Sequence, residues 1–156
     1  MRASGILMPV FSLPSRYGIG SFSKSAYQFV DMLKKAGQKY WQILPLCPTS
    51  YGDSPYQSFS TYAGNPYFID LDQLIEEKLL TRKECQACDF GDDPQDIDYG
   101  KLYENRFKLL RKAYERANVG EDQEFEAYRR ENAWWLDDYA LFMAVKDRFD
   151  GVAWNE

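Results

Sequence analysis

The chain has 156 residues, 45% of them hydrophobic and 28% charged, the balance of a globular protein and not of a disordered segment. A formal net charge of −5, with Lys and Arg interleaved among acids, excludes a surface built to neutralise phosphates, so no nucleic-acid partner is expected. Three cysteines and no His leave too few ligands for a zinc site, and an odd cysteine count without a secretory signal points to reduced thiols in the cytoplasm.

The opening residues, MRASGILMPVFSLPS, carry one Arg and an apolar run broken by Pro9. They are poorly shaped for a leader, and no later apolar run approaches the roughly 18 residues of a membrane span. Residues 4–10 (SGILMPV) read as a buried strand bounded by turn formers. Residues 11–20 read as loop, with Pro14, Gly18 and Gly20 among them. Ser21 and Ser23 are candidate N-caps for a helix ending near Ala36, with Ala26, Phe29, Val30 and Leu33 at helical spacing and Gly37 at the left-handed position just past its end. Residues 40–46 (YWQILPL) are the second buried strand. A helix between two apolar strands is a βαβ unit, which predicts parallel pairing with a right-handed crossover.

Residues 47–66 form a long irregular stretch holding Pro48, Gly52, Pro55, Gly64 and Pro66, with Tyr51, Tyr56, Phe59 and Tyr62 among polar residues. A loop of that length in a compact domain is usually functional or disordered, and its aromatic content speaks against disorder. Residues 67–71 (YFIDL) are a short strand or an extended lead into a helix around 74–80. Asp70 and Asp72 read as loop and helix-cap residues. Cys85 and Cys88 have CxxC spacing, but they sit in a polar helical stretch without the strand a redox motif follows, so neither a metal nor a redox role is read there. In the helix predicted over 99–117, capped by Asp98, the stripe Tyr99, Leu102, Tyr103, Phe107, Leu110, Tyr114 and Ala117 is the expected core face. Gly120 separates it from a helical stretch over 122–149, expected to break or bend near Asn132 and to turn Phe125, Tyr128, Trp135, Leu136, Tyr139 and Met143 inward.

Two parallel strands neither close a sheet nor cover both of its faces, and a (β/α)8 barrel needs about 250 residues. The expectation is therefore an α/β chain forming the first portion of a larger barrel. Residues 1–80 supply the first βα units and 81–156 a mostly helical inserted subdomain. A complete small α/β domain is the alternative.

The chemistry concentrates in YGDSPYQSFS at 51–60, directly after the C-terminal end of a parallel strand, where barrel enzymes build their sites. Tyr51 and Tyr56 offer flat rings that also carry a hydroxyl; Asp53, Ser54 and Gln57 add groups suited to sugar hydroxyls. A self-packed surface loop is the competing reading of the same residues.

At this point the sequence resembles the amylomaltases, or 4-α-glucanotransferases, of glycoside hydrolase family seventy-seven. The matching stretches are SGIL at 4–7, SLPS at 12–15, YGIG at 17–20, YWQILPL at 40–46, YGDSPYQSFS at 51–60, AGNPY at 63–67, IDL at 69–71 and NAWWLDDYALFMAVK at 132–146. Several long motifs in one order are far more specific than a single short pattern. The resemblance implies a (β/α)8 barrel with inserted helices and no cofactor. It implies transfer of α-1,4-glucan segments among maltodextrins, maltose and glucose by a retaining double displacement, which needs two carboxyls about 5–5.5 Å apart. By the same resemblance Tyr56 covers the sugar at the cleavage point, and Tyr51, Asp53 and Ser54 shape or line that region. No residue matches the family's catalytic carboxylates, so none is given a catalytic role. The family's His-Pro-Thr-like tip after the first strand is replaced by Met8-Pro9-Val10-Phe11, which carries over no polar contact. Trp134 and Trp135 occupy adjacent helical positions and are expected to pack between helices and not to form a sugar platform. A hydrolytic α-amylase-type relative and a non-catalytic glucan-binding module are the other readings.

Overall fold

The computed structural model describes residues 2–50, 52–93 and 95–152. Strand β1 (Gly5–Leu7) pairs in parallel with β2 (Tyr40–Gln42), with Gly5 opposite Tyr40 and Leu7 opposite Gln42. The ladder extends by one bond at each end, Lys39 N–H to the Ser4 carbonyl at 2.9 Å and Met8 N–H to the Gln42 carbonyl at 3.0 Å. Helix α1 (Lys24–Lys35) connects them, so the predicted βαβ unit is present. Phe29 of α1 meets Trp41 of β2 edge to face at 5.0 Å, and the Trp41 indole donates to the Met8 carbonyl at 2.7 Å. That contact fixes the helix on the strand pair.

The strands are shorter and more open than the sequence suggested. Trp41 is half-buried, but Ile6, Leu7 and Tyr40 are exposed, Tyr40 at 66%. Two strands flanked by one helix have too little neighbouring surface to bury both faces, whatever their hydrophobicity. Helix α1 begins where expected, yet Ser23 provides no side-chain cap; its hydroxyl lies 2.8 Å from that of Ser25. Gly37 takes the left-handed conformation, φ 71°, and Gln38 N–H returns to the Leu33 carbonyl.

Residues 66–71 are neither strand nor plain extended lead. Asn65 accepts a hydrogen bond from Tyr67 N–H, and Pro66 starts a single 3-10 turn, Pro66–Phe68. Asp70 then caps α2 (Leu71–Glu76) by accepting from Asp72 N–H, so the helix lies earlier than the predicted 74–80. The chain reverses at Lys78, φ 62°. A capping box of Thr81 and Glu84 opens α3 (Arg82–Gln86).

Helix α4 (Tyr99–Ala117) has the predicted bounds and the predicted Asp98 cap. The predicted face is met in part: Leu102 is buried, and Tyr99 and Leu110 pack against the core, but the buried line continues through Arg106, Leu109 and Ala113, while Tyr103 and Tyr114 are 63% and 60% exposed. The core joins Val10, Leu13, Tyr17 and Ile19 to Phe68, Leu71, Leu80, Cys85 and Phe90, and α4 closes it with Leu102, Leu109 and Ala113. Glu84 ties α3 to α4 through both guanidinium nitrogens of Arg116, at 2.8 and 2.9 Å, and through Lys112 at 3.1 Å.

Helix α5 (Gln123–Arg148) runs unbroken through Asn132. The Asn132 side chain donates to the Tyr128 carbonyl at 2.8 Å and accepts from the Trp135 indole at 3.0 Å, so its polar groups are satisfied within a continuous helix. None of the residues expected to turn inward is buried; Trp135, Leu136, Tyr139 and Met143 are half-covered, and Tyr128 is exposed. Among the described residues there are two strands and five α-helices, and no closed barrel.

Candidate sugar-binding loop

Residues 47–66 leave the C-terminal end of β2 and return to the 3-10 turn at Pro66. The foot is a clasp: Asn65 N–H donates to the Leu46 carbonyl at 2.8 Å, and the Cys47 thiol reaches the Thr61 carbonyl at 3.7 Å. At the tip, Ser50 N–H donates to the Gln57 carbonyl at 3.0 Å, with two turns inside, Asp53 N–H to Ser50 and Gln57 N–H to Ser54. The loop is thus ordered by its own main chain, which suits a surface whose side chains remain free.

Those bonds decide which expected sugar contacts are free. Tyr56 is 73% exposed at the tip, with its ring open to solvent. Asp53 is half-buried in the left-handed region, φ 54°, and accepts a long bond, 3.4 Å, from the Thr49 hydroxyl. Burial raises its carboxyl above the usual range, and Thr49 tempers the rise. Its charge reaches inward as well. Burial raises the Tyr67 phenol to about 12, and the Asp53 charge adds to that rise; Tyr99 is raised by the same two causes in the same order. Ser54 is half-buried, and its hydroxyl accepts from Tyr56 N–H at 3.4 Å, so it shapes the turn that presents Tyr56. Tyr51 lies outside the described residues. The structure therefore brings Asp53, Ser54 and Tyr56 onto one turn. The loop contains a single carboxylate, Asp53, and a double displacement needs two.

The second half of the loop meets α5, a contact that periodicity alone did not reveal. Tyr62 stands edge to face with Trp134 at 4.7 Å and lies 5.8 Å from Trp135; Phe59 lies 6.2 Å from Phe142. The two tryptophans therefore meet a loop tyrosine and do not pack between helices, and Trp134 stays 66% exposed. Between the loop and the helix runs an open groove of about 430 Å3, lined by Ser58, Phe59, Tyr62, Trp135, Asp138 and Tyr139. Ser58 and Ser60 are engaged in the loop's own turns, so the groove offers the rings of Phe59, Tyr62, Trp135 and Tyr139 beside Thr61 and the Asp138 carboxylate. The loop aromatics were visible in the sequence; of their helical partners, Trp135 was assigned to an interior stripe, Trp134 to packing between helices, and Phe142 to neither.

A wider polar groove of about 790 Å3 lies elsewhere, between residues 14–28 and α2. The Tyr17 and Asp72 pair lines it, and no residue of the loop does. Among the described residues no three His, Cys, Asp or Glu side chains gather as metal ligands, and no helix is long and apolar enough to cross a membrane.

A parallel βαβ start whose second strand feeds an aromatic, self-clasped loop is an α/β segment. The family model described as 4-alpha-glucanotransferase matches residues 8–156. The chain belongs to that family. A 4-alpha-glucanotransferase of Clostridium butyricum is 55% identical over 148 residues, covering 95% of this chain and 30% of the relative. One from Thermus thermophilus is 47% identical over 158 residues, covering 99% of this chain and 31% of the relative. Among solved structures, the amylomaltase from Streptococcus agalactiae in complex with acarbose superposes with a TM-score of 0.90 at 44% identity, over 98% of this chain and 31% of that one. The chain thus spans about 31% of the length of the relatives it matches.

Proposed function

We propose that this chain is the sugar-loop portion of a 4-α-glucanotransferase that moves α-1,4-glucan segments between maltodextrins, with maltose or glucose as acceptors. In this reading residues 1–80 are the first βα units of a (β/α)8 barrel and 81–156 an inserted helical subdomain, working in the cytoplasm. The observation that carries it is the exposed ring of Tyr56, held at the tip of a loop that follows a parallel strand. The family membership and the acarbose complex of a relative with this backbone support the same reading.

The exposure and hydrogen bonds of the loop support a division of labour in which Tyr56 covers an apolar sugar face, Asp53 presents a carboxylate to sugar edges and Ser54 sets the turn. Tyr51 is assigned to the same region by the family resemblance alone. The nucleophile and the acid/base carboxyl come from residues that match no position in this chain. The 156-residue chain alone is therefore expected to leave maltotriose unchanged, and release of glucose and longer maltodextrins from it would contradict this assignment. In the full-length enzyme, Tyr56→Ala should lower kcat/KM for maltotriose by about tenfold or more without moving Tm, because the ring has little to lose on folding. Unchanged kinetics would remove Tyr56 from the sugar site.

A further inference from the structure

Arg106 is the anomaly of the core. It lies in the middle of α4 with 1% of its surface exposed, on the same face as Leu102, Leu109 and Ala113. One guanidinium nitrogen, Nη2, donates to the main-chain carbonyl of Ile69. Among the described residues Nε and Nη1 have no hydrogen-bond partner. Burial lowers its pKa to about 10, a drop partly offset by the Asp70 carboxylate, so it stays protonated at neutral pH. A buried cation with one carbonyl partner is a poor source of stability, because desolvation cancels most of what the contact returns. Its position suggests another use.

Ile69 sits between the 3-10 turn at Pro66–Phe68 and the Asp70 cap of α2. That stretch is the returning foot of the 47–66 loop. Asn65 closes the loop on Leu46, its side chain caps Tyr67 N–H, and Phe22 N–H holds the Phe68 carbonyl at 3.3 Å. Among the described residues, every other hydrogen bond on residues 65–69 comes from within residues 22–69, and only Arg106 brings one from α4.

We propose that Arg106 is a positioning residue, whose buried guanidinium grips the Ile69 carbonyl from α4 and so fixes the foot, and through it the tip, of the sugar-binding loop. This rests on the reading of that loop as the sugar site. It places a determinant of loop order in the helical half of the chain, outside every motif of the loop.

Amide hydrogen exchange on the protein tests it. Arg106→Met keeps an unbranched side chain in the core but has no donor. The expected result is a loss of protection of about tenfold or more at Asn65 and Tyr67, with Ala36 at the end of α1 and the amides of α4 unchanged, since local opening is separable from global unfolding. Arg106→Lys, which keeps a charged donor, should restore part of the Asn65 protection. In the full-length enzyme, Arg106→Met should raise KM for maltotriose more than it lowers kcat. Equal losses at all amides, or no loss at Asn65, would overturn the proposal, as would failure of both variants to fold, which would make Arg106 a folding residue. If the wild-type enzyme transfers no glucan, the functional reading fails, while the exchange result still decides what Arg106 holds.

Discussion

The hydroxyl of Tyr17 donates a 2.6 Å hydrogen bond to Oδ1 of Asp72, across 55 residues of sequence. Tyr17 is buried in the core, edge to face with Phe90 at 6.0 Å, and Asp72 is half-buried in the first turn of α2. The bond joins the segment after β1 to the helix that follows the 47–66 loop.

Replacing Tyr17 with Phe keeps the ring contact with Phe90 and removes only the hydroxyl. The carboxylate then loses a charged-acceptor bond, so the expected cost is about 2 kcal/mol in urea unfolding at neutral pH. A change below about 0.5 kcal/mol would show that Asp72 finds water instead. Burial, then Asp72, holds the Tyr17 phenol well above its ordinary value of 10.0. The unfolded chain therefore releases this proton first. Stability should fall as pH rises past 10, and the fall should be smaller in the Phe variant.

Glu84 gives the opposite sign. Hydrogen bonds from Arg116 first, then from Thr81, hold its carboxyl far below the ordinary 4.5. A depressed folded pKa adds stability that is complete above 4.5 and is lost as pH falls below it. Glu84→Gln should lower Tm at pH 7, and the gap to wild type should close on acidification below 4.5. Because Arg116 and Lys112 are exposed, the gap at pH 7 should also shrink in high salt. A gap independent of both pH and salt would mean that packing, not charge, links α3 to α4.

Gly18 and Gly37 share a left-handed backbone but differ in their surroundings. Gly18 has φ 74°, and a Cβ there would lie 2.6 Å from the Phe90 carbonyl oxygen; at Gly37, φ 71°, nothing lies within 4 Å. Gly37→Ala should therefore cost about 1 kcal/mol, the backbone strain alone. Gly18→Ala should cost about 3 kcal/mol, because the Phe90 main chain must also move. Equal costs in thermal or chemical unfolding would show that the Phe90 segment yields freely.

Where short-range chemistry fixed an outcome, the sequence was sufficient. Asp98 marked the start of α4, Gly37 the end of α1, and two apolar runs around one helix implied the parallel pair. Faces were harder to read. Arg106 broke the apolar pattern of the true core face of α4, while Tyr103, Phe107 and Tyr114 imitated one on its exposed flank. Asn132 suggested a bend because its capacity to bond within the helix, to Tyr128 and Trp135, depends on side-chain geometry. In the loop, composition revealed the aromatic and hydroxyl groups. It could not show that Ser54, Ser58 and Ser60 engage their hydroxyls within the loop itself or that Asp53 accepts from Thr49, which leaves the Tyr56 ring exposed on that turn.

The clasp between Asn65 and Leu46 bears on how such a surface can diversify. Since the loop is anchored at its base, lengthening the tip between Asp53 and Gln57 adds only a slowly growing entropic cost, about 0.6 kcal/mol for each doubling. Rings at the crown can thus be exchanged or added by insertion while the scaffold beneath keeps its contacts.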